Sequence, residues 1–448
     1  MTQLNHGRQV AVQALLRVET ADSYSNIVLD RHLASSGLPA RDRAFASALF
    51  YGVLEKKITL DYVISQYSSL PLGKMDPLVR QLLRLAVYQI AYMDGVPESA
   101  AVNESVELAK GMGKGRAAGF INGVLRSFLR DGGEVRLPEP GKDRAGWLSL
   151  AYSIPRPLIK LWQNQYPKED LETLLRGMTG HAPLFVRVNT CRTDAQSLCS
   201  RLAEEGVEAQ LFPGFPDCIQ LRHTGPMEHL ETFRQGLFHV QDLSGQVCTS
   251  ALGVRPGMRV LDCCAAPGGK SFTLAQRMEN SGELIAADLY PQKAALIAKG
   301  AERLGLSSIH AITADAGAYS PELGLFDRVL CDAPCSGFGI IRRKPEIRYK
   351  NLDALRDLPA VQYKILETAA QYVKEGGRML YSTCTMNRHE NDYVVQRFLK
   401  EHPSFAPALL PEETLRFLGL EEASGATLMP HHNGTDGFFF ALFAREKS

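Results

Sequence analysis

Between about Gln246 and Cys384 the chain carries five short apolar runs: RVLDCCA, ELIAADL, IHAITAD, FDRVLCDAP and GRMLYSTC. They lie about 25–50 residues apart, with helical periodicity between several of them. A run that is apolar on consecutive residues needs cover on both faces, and intervening helices supply it. The pattern predicts parallel βαβ units and therefore an α/β, doubly wound, mostly parallel sheet of Rossmann-like form. The tail segments ATLMPHH and GFFFALFA flank the turn residues NGTDG and predict an antiparallel hairpin finishing that sheet.

At 448 residues the chain has room for two to four folding units. Residues 1–130 predict an all-α bundle, since VAVQALLRV, FASALFYGVL and LVRQLLRLAVYQIAY repeat apolar residues at three and four. Pro71, Pro77 and Pro97 fall between these runs, and Asp76 before Pro77 suits an N-cap with proline in the first helical position. Residues 131–147 include DGGEVRLPEPGKDRAG and read as a linker. Residues 148–241 mix helical LIKLWQNQY and AQSLCSRLAEEG with strand-like LFVRVNT, CIQL and GLFHVQD, which predicts a small α+β subdomain. The Rossmann-like domain then occupies residues 242–448.

Nine cysteines without a CxxC pair suit free thiols and argue against a disulfide framework or a structural zinc site, so no metal is expected. No apolar stretch approaches the ~20 residues needed to cross a bilayer. The opening MTQLNHGRQV has no export signal, so a cytoplasmic protein without a membrane partner is expected. Net charge is +1, yet residues 1–130 hold 15 Lys/Arg against 11 Asp/Glu, a balance of +4. Lys110, Lys114, Arg116, Arg126 and Arg130 lie in a stretch with no acid, compatible with a phosphate-contacting surface.

In open parallel sheets ligands sit beyond the carboxyl ends of the strands. There RVLDCCA leads into Ala266–Lys270 (APGGK), where Gly268 and Gly269 allow close backbone approach and the following helix offers free N–H groups. The turn matches neither GxGxxG nor the P-loop pattern, so a diphosphate is not indicated. Asp288 closes the second strand, placed for ribose hydroxyls, and Asp315 closes the third, within reach of an adenine amine. A glycine turn and a ribose-reading acid without a diphosphate motif suit S-adenosyl-L-methionine.

DAPCSG puts Asp332 and Cys335 at the exit of the fourth strand, and YSTC puts Cys384 at the exit of the fifth. Pro334, Ser336, Gly337, Ser382 and Thr383 place both thiols on loops, whereas Cys331 falls within a core strand. Two thiols and a carboxylate beside a methyl donor are what methylation of a pyrimidine at C5 requires. That carbon is too weak a nucleophile until a thiolate adds to C6, and an acid at N3 favours the addition.

Cys264–Lys270 (CAAPGGK), Asp332–Gly339 (DAPCSGFG), Arg342–Tyr349 (RRKPEIRY), Tyr381–Thr385 (YSTCT) and Asn387–Asp392 (NRHEND) closely resemble the RNA cytosine-C5 methyltransferase family. The N-terminal bundle resembles the NusB-type RNA-binding domain. The resemblance implies that Cys384 bonds to C6, that Cys335 assists release of the methylated base, and that Asp332 meets the N3 edge and lies near the cofactor. It also implies that Cys264, Ala265, Ala266, Pro267, Gly268, Gly269, Lys270, Asp288 and Asp315 hold S-adenosyl-L-methionine. The implied substrate is one cytosine of 16S ribosomal RNA, cytosine 967 in bacterial rRNA numbering, met before the subunit is fully assembled by a monomeric enzyme. Cys263, Phe338 and Thr385 depart from the family's commoner residues without removing a functional group.

Arg342, Arg343, Lys344, Arg348 and Lys350, beside Phe338 and Tyr349, suit a surface that binds single-stranded RNA. The target base must be unstacked to reach Cys384. The alternatives are a transfer-RNA or other RNA cytosine-C5 methyltransferase, a methyltransferase for a small molecule or protein, and a non-catalytic RNA-binding assembly factor.

Overall fold

The computed structural model describes residues 6–20, 25–167 and 170–447. Packing divides the chain into two compact units: residues up to Gly180 together with Ile341–Leu352, and His181–Ile340 together with the chain from Asp353.

The first unit is helical. His6–Thr20, Ser25–Ser36, Ala40–Tyr67, Pro77–Tyr92, Glu98–Gly111 and Ala118–Arg130 turn their apolar stripes into one core. Leu78, Leu82, Leu83, Leu85 and Ala86 are buried on Pro77–Tyr92. That helix starts as its sequence dictates, with Asp76 accepting from the Leu78 N–H at 2.9 Å and Pro77 in the first position. Arg84, 3% exposed, donates through Nε and Nη2 to the two Asp61 oxygens at 2.6 and 2.7 Å, and its Nη1 lies 3.6 Å from Glu19.

The expected boundary at residue 148 is not where this unit ends. Helices Arg144–Tyr152, Arg156–Gln165 and Leu171–Gly177 belong with the bundle, so the expected 148–241 subdomain divides at Gly180. Thr59 Oγ1 donates to the Leu150 carbonyl at 2.6 Å, the Ile58 N–H donates to Ser153 Oγ at 2.9 Å, and Trp162 is fully buried. The Gly- and Pro-rich stretch before Arg144 thus joins helices of one unit.

The second unit opens with a four-stranded antiparallel sheet of β1 (Leu184–Val188), β2 (Glu208–Leu211), β3 (Cys218–Arg222) and β4 (Phe238–Val240), in the order β2-β3-β1-β4. β2 has no counterpart in the sequence reading, because EAQL is an edge strand with little burial to pattern it.

A larger sheet follows: β5 (Arg259–Asp262), β6 (Glu283–Asp288), β7 (Ile309–Thr313), β8 (Phe326–Asp332), β9 (Val373–Thr383), β10 (Phe405–Pro407), β11 (Gly425–Leu428) and β12 (Phe438–Arg445). Its order is β10-β12-β9-β8-β5-β6-β7, with β11 paired to β12. The five strands foreseen, β5 to β9, are parallel, and the hairpin of β11 and β12 is antiparallel. The hairpin does not end the sheet, since β12 lies between β9 and β10. Side chains alternate between two cores. Val260, Leu284, Leu330, Leu380 and Phe440 face one, while Leu261, Ile285, Val329, Cys331, Met379, Tyr381 and Phe439 face the other. Cys331 is therefore a core residue, as its place within a strand indicated.

The chain adds β6 and β7 on one side of β5, then returns to add β8 and β9 on the other. This reversal opens a crevice beyond the carboxyl ends of β5 and β8, the usual ligand position in such sheets. Asp262 ends β5 there, fully buried, with Ser271 Oγ donating to it at 2.7 Å. Burial, helped by the nearby Asp332 charge, pushes its carboxyl up from 3.8 to about 7.

Two stability measurements follow. Arg84→Ala leaves Asp61 without its guanidinium and should cost about 3 kcal/mol in urea unfolding; a loss below about 0.5 kcal/mol would show the pair to be a solvated one. For Asp262, a carboxyl pKa raised by folding means the native chain keeps a proton that the unfolded chain releases. Its share of stability is then complete at low pH and is lost as pH rises toward 7. Asp262→Asn should remove that slope, gaining about 3 kcal/mol on wild type between pH 5 and pH 8. Parallel pH profiles for the two proteins would contradict this.

Candidate active site

β8 and β9 pair in parallel with Cys331 opposite Tyr381 and Asp332 opposite Ser382. This register sends both strands into the crevice at one level, and the Ala333 N–H donates to the Ser382 carbonyl at 3.0 Å just beyond it. Cys335 follows three residues after β8, and Cys384 is the residue after β9. Their sulfurs lie 3.2 Å apart.

The loops that carry the thiols interlock. The Gly339 N–H donates to the Cys384 carbonyl at 3.0 Å, and the Gly437 N–H donates to the Gly339 carbonyl at 2.9 Å. A β-carbon on Gly339 would stand 1.7 Å from the Gly437 carbonyl oxygen, so this crossing requires glycine. Ser336 Oγ and Thr385 Oγ1, buried 2.8 Å apart, make a second tie.

Electrostatics separate the two thiols. The hydrogen bond from Cys335 lowers the Cys384 pKa against the opposing effects of burial and of Asp332 and Asp436, and Lys270 adds to the lowering. The same hydrogen bond holds the Cys335 thiol well up, reinforced by burial and by the charges of Cys384 and Glu390. The two shifts run in opposite directions, Cys384 down and Cys335 up, so of the two thiols Cys384 is the more readily ionised. Lys270 Nζ donates to Asp332 Oδ2 at 2.7 Å, and Ser382 Oγ donates to Oδ1 at 2.7 Å. Burial opposes the Lys270 charge, yet Asp332 raises its pKa, so the ammonium persists.

Beside this pair lies the turn from Cys264 to Lys270. Ala265 and Gly268 are buried, Cys264, Ala266, Gly269 and Lys270 half-buried, and Pro267 exposed. Gly268 has φ of 109°, where a β-carbon would also meet the Phe272 ring at 2.4 Å. The helix Gly269–Arg277 begins directly after it. Asp288, 6% exposed, accepts from the Ala266 N–H at 3.3 Å and the Tyr290 N–H at 3.2 Å, one on each oxygen. Asp315 lies two residues past β7, exposed, accepting from the Gly317 N–H at 2.8 Å.

The basic segment differs from its expectation as an open charged surface. Residues 341–352 belong to the helical unit. Arg348 is 1% exposed and donates to the carbonyls of Glu55 at 3.0 Å and Ile341 at 3.3 Å. Tyr349 donates its hydroxyl to the Leu54 carbonyl at 2.8 Å, and Glu346 accepts from Ser25 Oγ at 2.6 Å. Arg348 is thus a buried strut and not a phosphate contact, because its guanidinium is buried and donates to the carbonyls of Glu55 and Ile341. Arg342, Arg343 and Lys344 are half-buried on the same segment.

Sequence reasoning did not single out Asp262, Gln362 or Glu390. The position of Asp262 at the carboxyl end of a strand was a usable signal. Glu390 lies within the NRHEND motif, while Gln362 sits on the amphipathic helix Leu358–Ala370 with nothing to mark it. Among the described residues no cluster of side chains could hold a metal ion, and no helix is long and apolar enough to cross a membrane.

Three family models match the chain: 16S rRNA methyltransferase RsmB/F over residues 249–444, the NusB family over 5–130, and a Methyltr_RsmF/B-like ferredoxin-like domain over 154–228. A Bacillus subtilis protein named "Probable ribosomal RNA small subunit methyltransferase B" is 40% identical over 447 residues, covering 98% of each chain. The Escherichia coli O1:K1 ribosomal RNA small subunit methyltransferase B is 32% identical, also over 98% of each. Among solved structures, PH0851 aligns over the whole of both chains at 25% identity and a TM-score of 0.82. NSun6 from Pyrococcus horikoshii with SFG covers 66% of this chain and 99% of its own at 20% identity and a TM-score of 0.58. Similarity of this extent, running through the bundle and the thiol-bearing sheet alike, makes the chain an enzyme of the ribosomal RNA small subunit methyltransferase B family, built on a NusB-family helical domain.

Proposed function

We propose that the protein methylates C5 of a cytosine in 16S ribosomal RNA, using S-adenosyl-L-methionine and a transient bond between Cys384 and C6 of the base. The observation that carries this reading is the 3.2 Å thiol pair at the ends of β8 and β9, in which the Cys384 pKa is lowered and the Cys335 pKa raised. A methyl transfer to an oxygen or an exocyclic nitrogen needs no sulfur nucleophile, whereas C5 does.

The residues present suit the cofactor. Each Asp288 oxygen accepts one N–H and keeps a lone pair for a ribose hydroxyl. The backbone from Cys264 to Lys270 and the exposed Asp315 complete the holding set. When bound, S-adenosyl-L-methionine supplies an electrophilic methyl group beside the thiols. The Pyrococcus protein's SFG, an analogue of that cofactor, supports the assignment.

Cys384 thiolate adds to C6, forming the S–C bond and moving the C5=C6 electron pair toward N3. Asp332, held by Lys270 and Ser382, meets the N3 edge and favours that shift. C5, made nucleophilic, is the atom that gains the methyl. Its hydrogen then leaves as a proton, the freed pair restores C5=C6, and the S–C6 bond breaks with its electrons returning to Cys384. Cys335 stabilises this leaving thiolate by donating its hydrogen bond. By family likeness the target is cytosine 967 in RNA not yet fully assembled into the subunit, and the enzyme acts as a monomer. Arg342, Arg343 and Lys344 are the basic residues we assign to phosphate contacts, while Arg348 is excluded by its burial.

Cys335→Ala should accumulate a denaturant-resistant adduct with 16S RNA, and Cys384→Ala should form none and lose methyl transfer by at least about a thousandfold. An adduct with Cys384→Ala would overturn the assignment of the thiols. Bisulfite mapping of ribosomal RNA from cells lacking the protein should show one unprotected cytosine, and an unchanged map would overturn the substrate.

A further inference from the structure

Glu390 is a fully buried carboxylate six residues after Cys384. Taking an unpaired carboxylate out of water costs several kcal/mol unless donors replace the lost hydration. Here the replacements are all N–H groups. Oε2 accepts from the Ser336 N–H at 2.8 Å and from Gln362 Nε2 at 2.9 Å, and Oε1 accepts from Asn387 Nδ2 at 2.9 Å. An acceptor-only group fits three such donors, whereas an amide in its place would turn an NH2 toward at least one of them.

The direction of these bonds matters more than their number. Gln362 Nε2 also donates to the Pro334 carbonyl at 2.9 Å. The peptide on each side of Cys335 is thus clamped, Pro334 by Gln362 and Ser336 by Glu390. Asn387 ties the same carboxylate to the loop that carries Cys384, and Tyr381 of β9 donates its hydroxyl to the Glu390 carbonyl at 2.6 Å. One buried side chain therefore joins the loops of both thiols. Gln362 leaves its own Oε1 without a partner to hold this position. Fold stability alone would be served as well by apolar packing.

We propose that Glu390 and Gln362 are positioning residues for Cys335, and that they govern the breaking of the Cys384–C6 bond more than its formation. Addition draws on Cys335 only through its hydrogen bond to Cys384, whose pKa Lys270 also lowers. Release needs the S–H of Cys335 aimed at the sulfur that takes back the electron pair, as the C5 proton passes to water or another base. A Cys335 loop free to drift leaves Cys384 attached to the methylated cytosine. This inference rests on the covalent reading above.

The test uses the full-length protein with a 16S RNA fragment, S-adenosyl-L-methionine and denaturing gels. Glu390→Gln should lower steady-state turnover at least about tenfold, leave the RNA KM within about twofold, and accumulate the adduct seen with Cys335→Ala. Single-turnover methyl transfer should stay within about threefold of wild type, and Glu390→Asp should restore part of the release rate. Gln362→Leu, which spares the Glu390–Ser336 bond, should give the same effect more weakly and decides the matter if Glu390→Gln does not fold. Adduct with Cys335→Ala but none with the folded position-390 or position-362 variants would overturn this inference alone. So would losses of adduct formation and turnover in parallel. No adduct with Cys335→Ala would overturn the covalent reading and this inference with it.

Discussion

The contact between Cys335 and Cys384 sets what the rest of this molecule must provide. Two sulfurs 3.2 Å apart share a hydrogen bond that lowers the pKa of Cys384 and raises that of Cys335. A hydrogen bond between two weak donors is a slender basis for selectivity, so its geometry has to be imposed from outside. The parallel register of β8 and β9 brings the loops out together, and the Gly339–Gly437 crossing stops them from separating. The buried Glu390 network ties the loop of Cys335 to that of Cys384. Lys270 completes the arrangement, steadying Asp332 and lowering the Cys384 pKa.

The sheet explains why these parts meet. Its reversal of direction at β5 opens a crevice where strand ends carrying Asp262, Asp288, Asp332 and Cys384 or its neighbours converge. The glycine turn after β5 lies beside the thiols, linked to the strand-end acid by the Lys270–Asp332 contact. The antiparallel β12, inserted next to β9, contributes the Gly437 contact and the Phe438 ring, which lies 5.0 Å from Lys270 Nζ. The C-terminal hairpin is thereby part of the site's wall.

The sequence was informative wherever a single physical rule dominated. Uninterrupted apolar runs had to be buried parallel strands, and cysteines preceded by Pro or Thr and followed by small residues had to lie on loops at their exits. It was silent where the outcome depended on what lies across space. FFFALFA announces a strand but not its neighbour, so β12 was expected at the sheet's end and is found inside it. Arg348 carries the charge of a surface residue, and only its burial and the backbone carbonyls that receive it reveal a strut. A glycine- and proline-rich stretch looks alike whether it separates two domains or joins helices of one unit, which is why the division lies at Gly180 and not near residue 148. Gln362 had no local signal at all, because its role comes from a carboxylate 28 residues away.

In the proposed reaction it is Cys384, and not Cys335, that bonds to the base. That bond is tested most directly with 16S RNA containing 5-fluorocytosine, whose fluorine cannot leave as a proton does and so arrests the reaction before release. Peptide mapping of the trapped complex by mass spectrometry should place the nucleotide on Cys384. A nucleotide found on Cys335, or no covalent complex from an enzyme that still methylates ordinary RNA, would contradict it.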